Sequence, residues 1–183
     1  MSPINFSELL YKVAGLFVLR ASGHHFDAQR NFPAWELKNQ VLHSFLQQGL
    51  GGIIFHGGSS IELLHRCKAL QQLSEKPLLF CADVEEGLGQ RFGGGTWLSP
   101  PMSLAHIYKE NQDKAIKLAE QYGRCTGYQA RRSGLNWVLA PVCDINTNPL
   151  NPVINVRAWG SESATVSKLT CAFHRGLVSE GIL

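Results

Sequence analysis

A chain of 183 residues that is 44% apolar and only 17% charged can bury a sizeable core, and one globular domain, residues 1–183, is the expectation. Its 17 basic and 14 acidic side chains leave a net charge of +3, with no run of like charge to track a phosphate backbone or a lipid surface. That argues against nucleic acid and membrane as partners.

The five cysteines, Cys67, Cys81, Cys125, Cys143 and Cys171, are odd in number, far apart and without a CxxC pair. They suit neither a disulfide framework nor a zinc site, so no metal or cofactor is expected and the location is read as cytoplasmic. The N-terminus has no basic stretch, and the apolar run 13–19 is broken by Gly15 and ends at Arg20, which matches neither a targeting peptide nor a span.

In chain order, the first predicted strand covers residues 16–21, and a long polar segment, 22–36, follows it. A helix over 38–48 carries Val41, Leu42, Phe45 and Leu46 on one stripe and stops at Gly49. The second strand is read at 52–55. The helix after it opens on a capping box, Ser59 with Glu62, and continues its buried face through Leu63, Cys67 and Leu70.

A third strand covers 77–82, and a long loop is read over 83–105. In the helix predicted at 112–132, Ala115, Ala119, Gly123 and Gly127 recur every four residues. They leave a smooth ridge for close packing, and because glycine weakens a helix, packing must hold it. A fourth strand at 135–140 and a loop at 142–161 precede a last helix, 163–179, with Val166, Leu169, Phe173 and Leu177 facing inward. Residues 181–183 read as the start of a fifth strand.

Short strands rich in β-branched and aromatic residues alternating with helices predict an α/β fold with a parallel sheet, doubly wound or barrel. Periodicity alone leaves both open. The first crossover lacks GxGxxG, which counts against dinucleotide binding, and long loops after strands are where a barrel keeps its site. The polar groups there are Arg20, His24, His56, Asp83 and Asp144. Asp83 and Arg91 share one loop, where a carboxylate and an arginine can grip sugar hydroxyls through charge-assisted hydrogen bonds; the alternative is a salt-bridged loop that closes the barrel mouth. Glu85 and Glu86 are read as solvated loop charges, His24 and His56 as wall residues, and Trp97 either as a stacking surface or as the edge of a core.

Here the sequence resembles glycoside hydrolase family 3. Asp83, Glu85, Gly87 and Arg91 match its Asp-x-Glu-Gly-Gly-x-x-x-Arg signature, with Glu86 at the usual first glycine. Leu98-Ser99-Pro100-Pro101-Met102, Gly134-Leu135-Asn136, Ala140-Pro141-Val142-Cys143-Asp144 and the segment from Asn151 to Gly160 follow in the family's order.

The resemblance implies the N-terminal half of a TIM (β/α)8 barrel, about four β/α units and the start of a fifth strand. It also implies a retaining hydrolase of β-linked sugars at the nonreducing end, most closely the bacterial β-N-acetylhexosaminidase branch, with β-glucosidase as the alternative. Asp83, Arg91 and Arg157 would hold the sugar, although Arg157 also fits as a helix cap or a partner of Asp144. Such enzymes need two groups about 5–5.5 Å apart. The family's nucleophile and acid/base both lie beyond a strand like that at Gly181, so no catalytic residue is expected within this chain. The other readings are a non-catalytic remnant that only binds sugar or a partner chain, and a metal-dependent hydrolase using His24, His56 and Asp83; the isolated chain, with unpaired strand edges, is expected to self-associate.

Overall fold

The computed structural model describes residues 5–183. Residues 1–4, part of the segment in which no targeting peptide is expected, lie outside the described residues. Among those described, four parallel strands, β1 (Val18–Ser22), β2 (Gly52–His56), β3 (Leu79–Ala82) and β4 (Trp137–Val138), stand in the order β1-β2-β3-β4. The helices are α1 (Phe6–Ala14), α2 (Asn39–Gln47), α3 (Ser60–Gln72), α4 (Met102–Glu110), α5 (Gln112–Arg132) and α6 (Ser163–Ser179). The fold is α/β with each strand beside its neighbour in sequence, as the alternating pattern requires.

The chain divides into two compact units. The first runs through Ala82 and includes Arg91–Gly94 and Ser133–Trp137; the second holds Asp83–Gln90, Gly95–Arg132 and Val138–Leu183.

In the first unit, β1 and β2 pair in register from Val18 opposite Gly52 to Ser22 opposite His56, and β2 pairs with β3 from Gly52 opposite Leu79. Asn136 fastens the next strand to β3: its N–H donates to the Phe80 carbonyl, its Nδ2 donates to Leu78, and its Oδ1 accepts from the Phe80 N–H at 2.8 Å. One side chain thus reproduces a stretch of backbone ladder, which gives a physical reason for the Gly-Leu-Asn match. Phe55, Ile53, Leu42, Leu63 and Leu78 fill this core, each almost completely buried. Ser59 caps α3 through the Glu62 N–H at 3.2 Å, as its spacing predicts. Below it, Cys67 is packed so tightly that a Cβ at Gly134 would fall 2.8 Å from the Cys67 Cβ. Burial pushes the Cys67 thiol up to about 12.

The second unit is organised by α5 against α6. The small residues Ala115, Ala119, Gly123 and Gly127 are all buried, and Gly176 of α6 answers them: a Cβ there would lie 2.0 Å from the Glu120 carbonyl. Backbone touches backbone along this line, so the predicted ridge takes a helix. Tyr122, Trp159 and Phe173 close the cluster with ring centroids 5.3–5.9 Å apart.

Two helices depart from the sequence expectations. α1 was not foreseen, since none of its residues is buried and its apolar side chains face outward. α4 begins within the stretch expected to be loop, on Pro101 with φ −54°, an angle that suits a helix start. Residues 181–183 form no assigned strand, although the Val138 N–H donates to the Leu183 carbonyl at 2.8 Å and Ile182 is buried.

Candidate sugar-binding site

The turn after β3 carries the densest chemistry, and it lies in the second unit. Gly87 takes φ +82°, and a Cβ on it would sit 2.7 Å from the Thr96 carbonyl, so both conformation and space demand glycine there. Among the described residues Asn155 is the one non-glycine with positive φ, so position 86 adopts an ordinary backbone and accepts glutamate.

Glu85 is not a solvated loop charge. Its side chain is 7% exposed, and both oxygens are taken by Arg157: Nε donates at 2.8 Å and Nη2 at 2.7 Å. A carboxylate buried there needs such a partner, and the paired fork of the guanidinium supplies two parallel charge-assisted bonds. Glu86 is buried as well, and it accepts from the Trp97 indole N–H at 2.7 Å. Burial and pairing correct the reading of both glutamates.

The support behind Glu85 is also rigid. Tyr122 Oη donates to the Ser99 carbonyl at 2.8 Å and, more weakly, to the Glu85 carbonyl at 3.4 Å. Burial raises the Tyr122 phenol, with the Glu86 and Glu85 charges adding to the effect, so the hydroxyl stays a donor. Arg157 ends a short 3-10 turn, Asn155–Arg157, and stands next to the buried Ala158 and Trp159. Its guanidinium is held in the charged form first by the hydrogen bonds to Glu85, against partial desolvation, with the charges of Glu85, Asp83 and Asp144 adding to it.

The structure therefore brings Asp83, Glu85, Asp144 and Arg157 into one electrostatic group within the second unit. Arg157 pairs with Glu85, not Asp144. A guanidinium has five N–H donors. Nε and Nη2 serve Glu85 and Nη1 serves the Val153 carbonyl at 2.8 Å, so hydrogens on Nη1 and Nη2 are left for a ligand on a side chain 40% exposed. Arg91 belongs to the first unit, where it is exposed beside the fully buried Phe92.

Arg20, His24 and His56 belong to the first unit. His24 Nδ1 is 3.0 Å from Glu62, whose other oxygen accepts from the His25 N–H. Arg20 lies over the Trp35 ring, and His56 meets Phe32 edge-on. Among the described residues no cluster of three or more His, Cys, Asp or Glu is placed to hold a metal ion, and His24, His56 and Asp83 form no such group. No helix of the described residues is long and apolar enough to cross a membrane.

Comparison with known proteins places the chain in a family. The pattern of the "Glycosyl hydrolase family 3 N terminal domain" matches residues 12–183. A "Beta-N-acetylglucosaminidase/beta-glucosidase" from Cellulomonas fimi is 29% identical over 140 residues, covering 75% of this chain and 24% of that protein. A "Beta-hexosaminidase" from Stenotrophomonas maltophilia is 32% identical over 115 residues, or 62% of this chain and 34% of its own length. Among solved structures, a glycoside hydrolase family 3 β-N-acetylglucosaminidase from Paenibacillus is 27% identical and superimposes with a TM-score of 0.75 over 95% of this chain and 31% of that one. The chain thus spans about a quarter to a third of the length of these relatives.

Proposed function

Since the chain belongs to glycosyl hydrolase family 3 through the family's N-terminal domain, we propose that it forms the sugar-holding part of a hydrolase of β-linked sugars, N-acetylglucosaminides first. The observation that carries this is Arg157 locked onto buried Glu85, with Asp83 in the same electrostatic group. Glu85 spends both oxygens on orienting the guanidinium, which makes it a positioning residue. Arg157 then offers its spare N–H groups to hydroxyls, and Asp83 supplies the complementary acceptor. Fixed donors and acceptors of this kind bind a polyol with little reorganisation. Arg91 is the third proposed ligand, carried over from the family signature.

In this reading the domain forms part of a (β/α)8 barrel, and Asp83, Arg91 and Arg157 bind the sugar rather than react with it. The five free cysteines support a reducing, cytoplasmic setting. The dual name of the Cellulomonas relative favours β-glucosidase as the second reading.

The test is made on the protein produced from the whole reading frame that encodes this chain, with chromogenic N-acetyl-β-glucosaminide and β-glucoside compared side by side. Turnover of the first, unaffected by chelators, is expected because two protein groups supply the chemistry. Asp83→Ala should lower kcat/KM by about a hundredfold or more, several kcal/mol of lost charge-assisted bonding, with thermal stability kept. Unchanged kinetics beside a collapsed melting temperature would assign Asp83 to the fold instead.

A further inference from the structure

The position at which this chain departs from its family's signature holds a second device. Glu86 stands in place of the usual glycine, and its Oε2 accepts the Trp97 indole N–H at 2.7 Å. A glycine there has no side chain with which to do so. Glu86 is itself 9% exposed, and its backbone N–H donates to Gln90 Oε1 at 3.1 Å, which holds the main chain that carries the acceptor.

The backbone around the indole is fixed too. The Leu98 N–H donates to the Glu86 carbonyl at 2.7 Å, and the Gly89 N–H donates to Thr96. Gln129 grips Thr96 twice, its Oε1 accepting from the Thr96 N–H and its Nε2 donating to the hydroxyl. All of these residues lie in the second unit.

Yet Trp97 is 67% exposed, so it does not serve as the edge of a core. Trp35, equally exposed, contrasts with it: Phe32 stacks on that ring at 6.0 Å and the Arg20 guanidinium lies over it. Among the described residues no ring or cation lies on either face of Trp97. An exposed indole whose polar edge is satisfied, and which carries no other ring or cation, is preorganised to receive a flat, partly apolar ligand.

We propose that Trp97, held by Glu86, is a stacking platform for a pyranose ring whose substituents are equatorial, as in β-linked glucose or N-acetylglucosamine units. Such rings direct their axial C–H groups outward from their two faces and so present an apolar surface that matches an indole. This rests on the sugar-binding reading above, and it adds a contact which that reading does not contain.

The 183-residue chain is titrated with N,N′-diacetylchitobiose by calorimetry, with tryptophan emission followed in parallel and circular dichroism as the check on folding. Trp97→Ala should raise Kd about tenfold and abolish the emission change. Glu86→Gly, which keeps the ring but frees it, should raise Kd about threefold. Glu86→Gln keeps a carbonyl acceptor for the indole and should stay within twofold of the parent. If Asp83→Ala loses binding while Trp97→Ala binds like the parent, the platform is refuted and the sugar site stands. If Trp97→Ala loses binding while Asp83→Ala does not, the platform stands and the assignment of Asp83 is refuted. No heat and no emission change with the parent chain refutes both.

Discussion

Gly123 of α5 meets Phe173 of α6 so closely that a Cβ on the glycine would lie 1.9 Å from the Phe173 carbonyl oxygen. The obstacle is backbone, not the end of a flexible side chain, so the helices themselves must part. Gly123→Ala, normally favourable in a helix, should therefore destabilise by about 3 kcal/mol or more. For a chain of this size that lowers Tm by about 6–12 °C. Thermal unfolding followed by circular dichroism measures it, and an unchanged Tm would mean the pair packs more loosely.

The Glu85–Arg157 bridge makes a prediction about coupling. Glu85 is buried and Arg157 is 40% exposed, so solvent screens part of the interaction. Glu85→Gln should cost about 1–3 kcal/mol, and Arg157→Met about as much, since each leaves the other group badly paired. The double variant should cost less than the two singles together. Additive losses in denaturant unfolding would show that the pair is not coupled.

A pH effect follows from Glu62. Burial raises its carboxyl, but the His25 N–H, the charge and ring of His24 and the Ser59 N–H together outweigh that and hold it below 4.5. A folded-state value below the unfolded one gives stability that is present above the unfolded value and lost as pH falls through the folded value. The urea midpoint should thus decline in acid below about pH 4.5, and Glu62→Gln should flatten that limb while leaving the neutral midpoint closer to the parent's. Identical acid limbs would remove Glu62 from the cause.

α1 bears on association. Phe6 is 70% exposed and Leu16 is 83% exposed, and an open groove of about 520 Å³ lies along Leu10, Val13, Phe17, Leu19 and Phe45. An apolar surface of this kind seeks cover. The 183-residue chain alone should elute ahead of a monomer in size-exclusion chromatography, and Leu16→Glu should shift it back. A parent monomer with a sharp cooperative transition would overturn this.

What could be read in the sequence followed from local pattern. The bounds of α5 and α6 agree with it because their buried residues recur at helical spacing and face one another, and the Ser59 cap declares itself within four residues. The failures have the opposite cause. α1 is amphipathic with its apolar face uncovered, so the test for a buried stripe passes over it. Glu85 looks like any loop carboxylate until its partner is known, and that partner stands 72 residues away. Spacing could nominate Arg157 and Glu85 separately, but only tertiary structure joins them.

Cys67 lies beneath Gly134, 3% exposed, with burial as the cause of its raised thiol. Since the thiolate is the reactive form, almost none exists there at neutral pH, and no reagent reaches the sulfur while α3 keeps its place. Cys143 and Cys171 are exposed, so a thiol reagent should modify them first. The lag between those fast sulfurs and Cys67 is then a clock for the opening of the first unit, written into the chain without any added label.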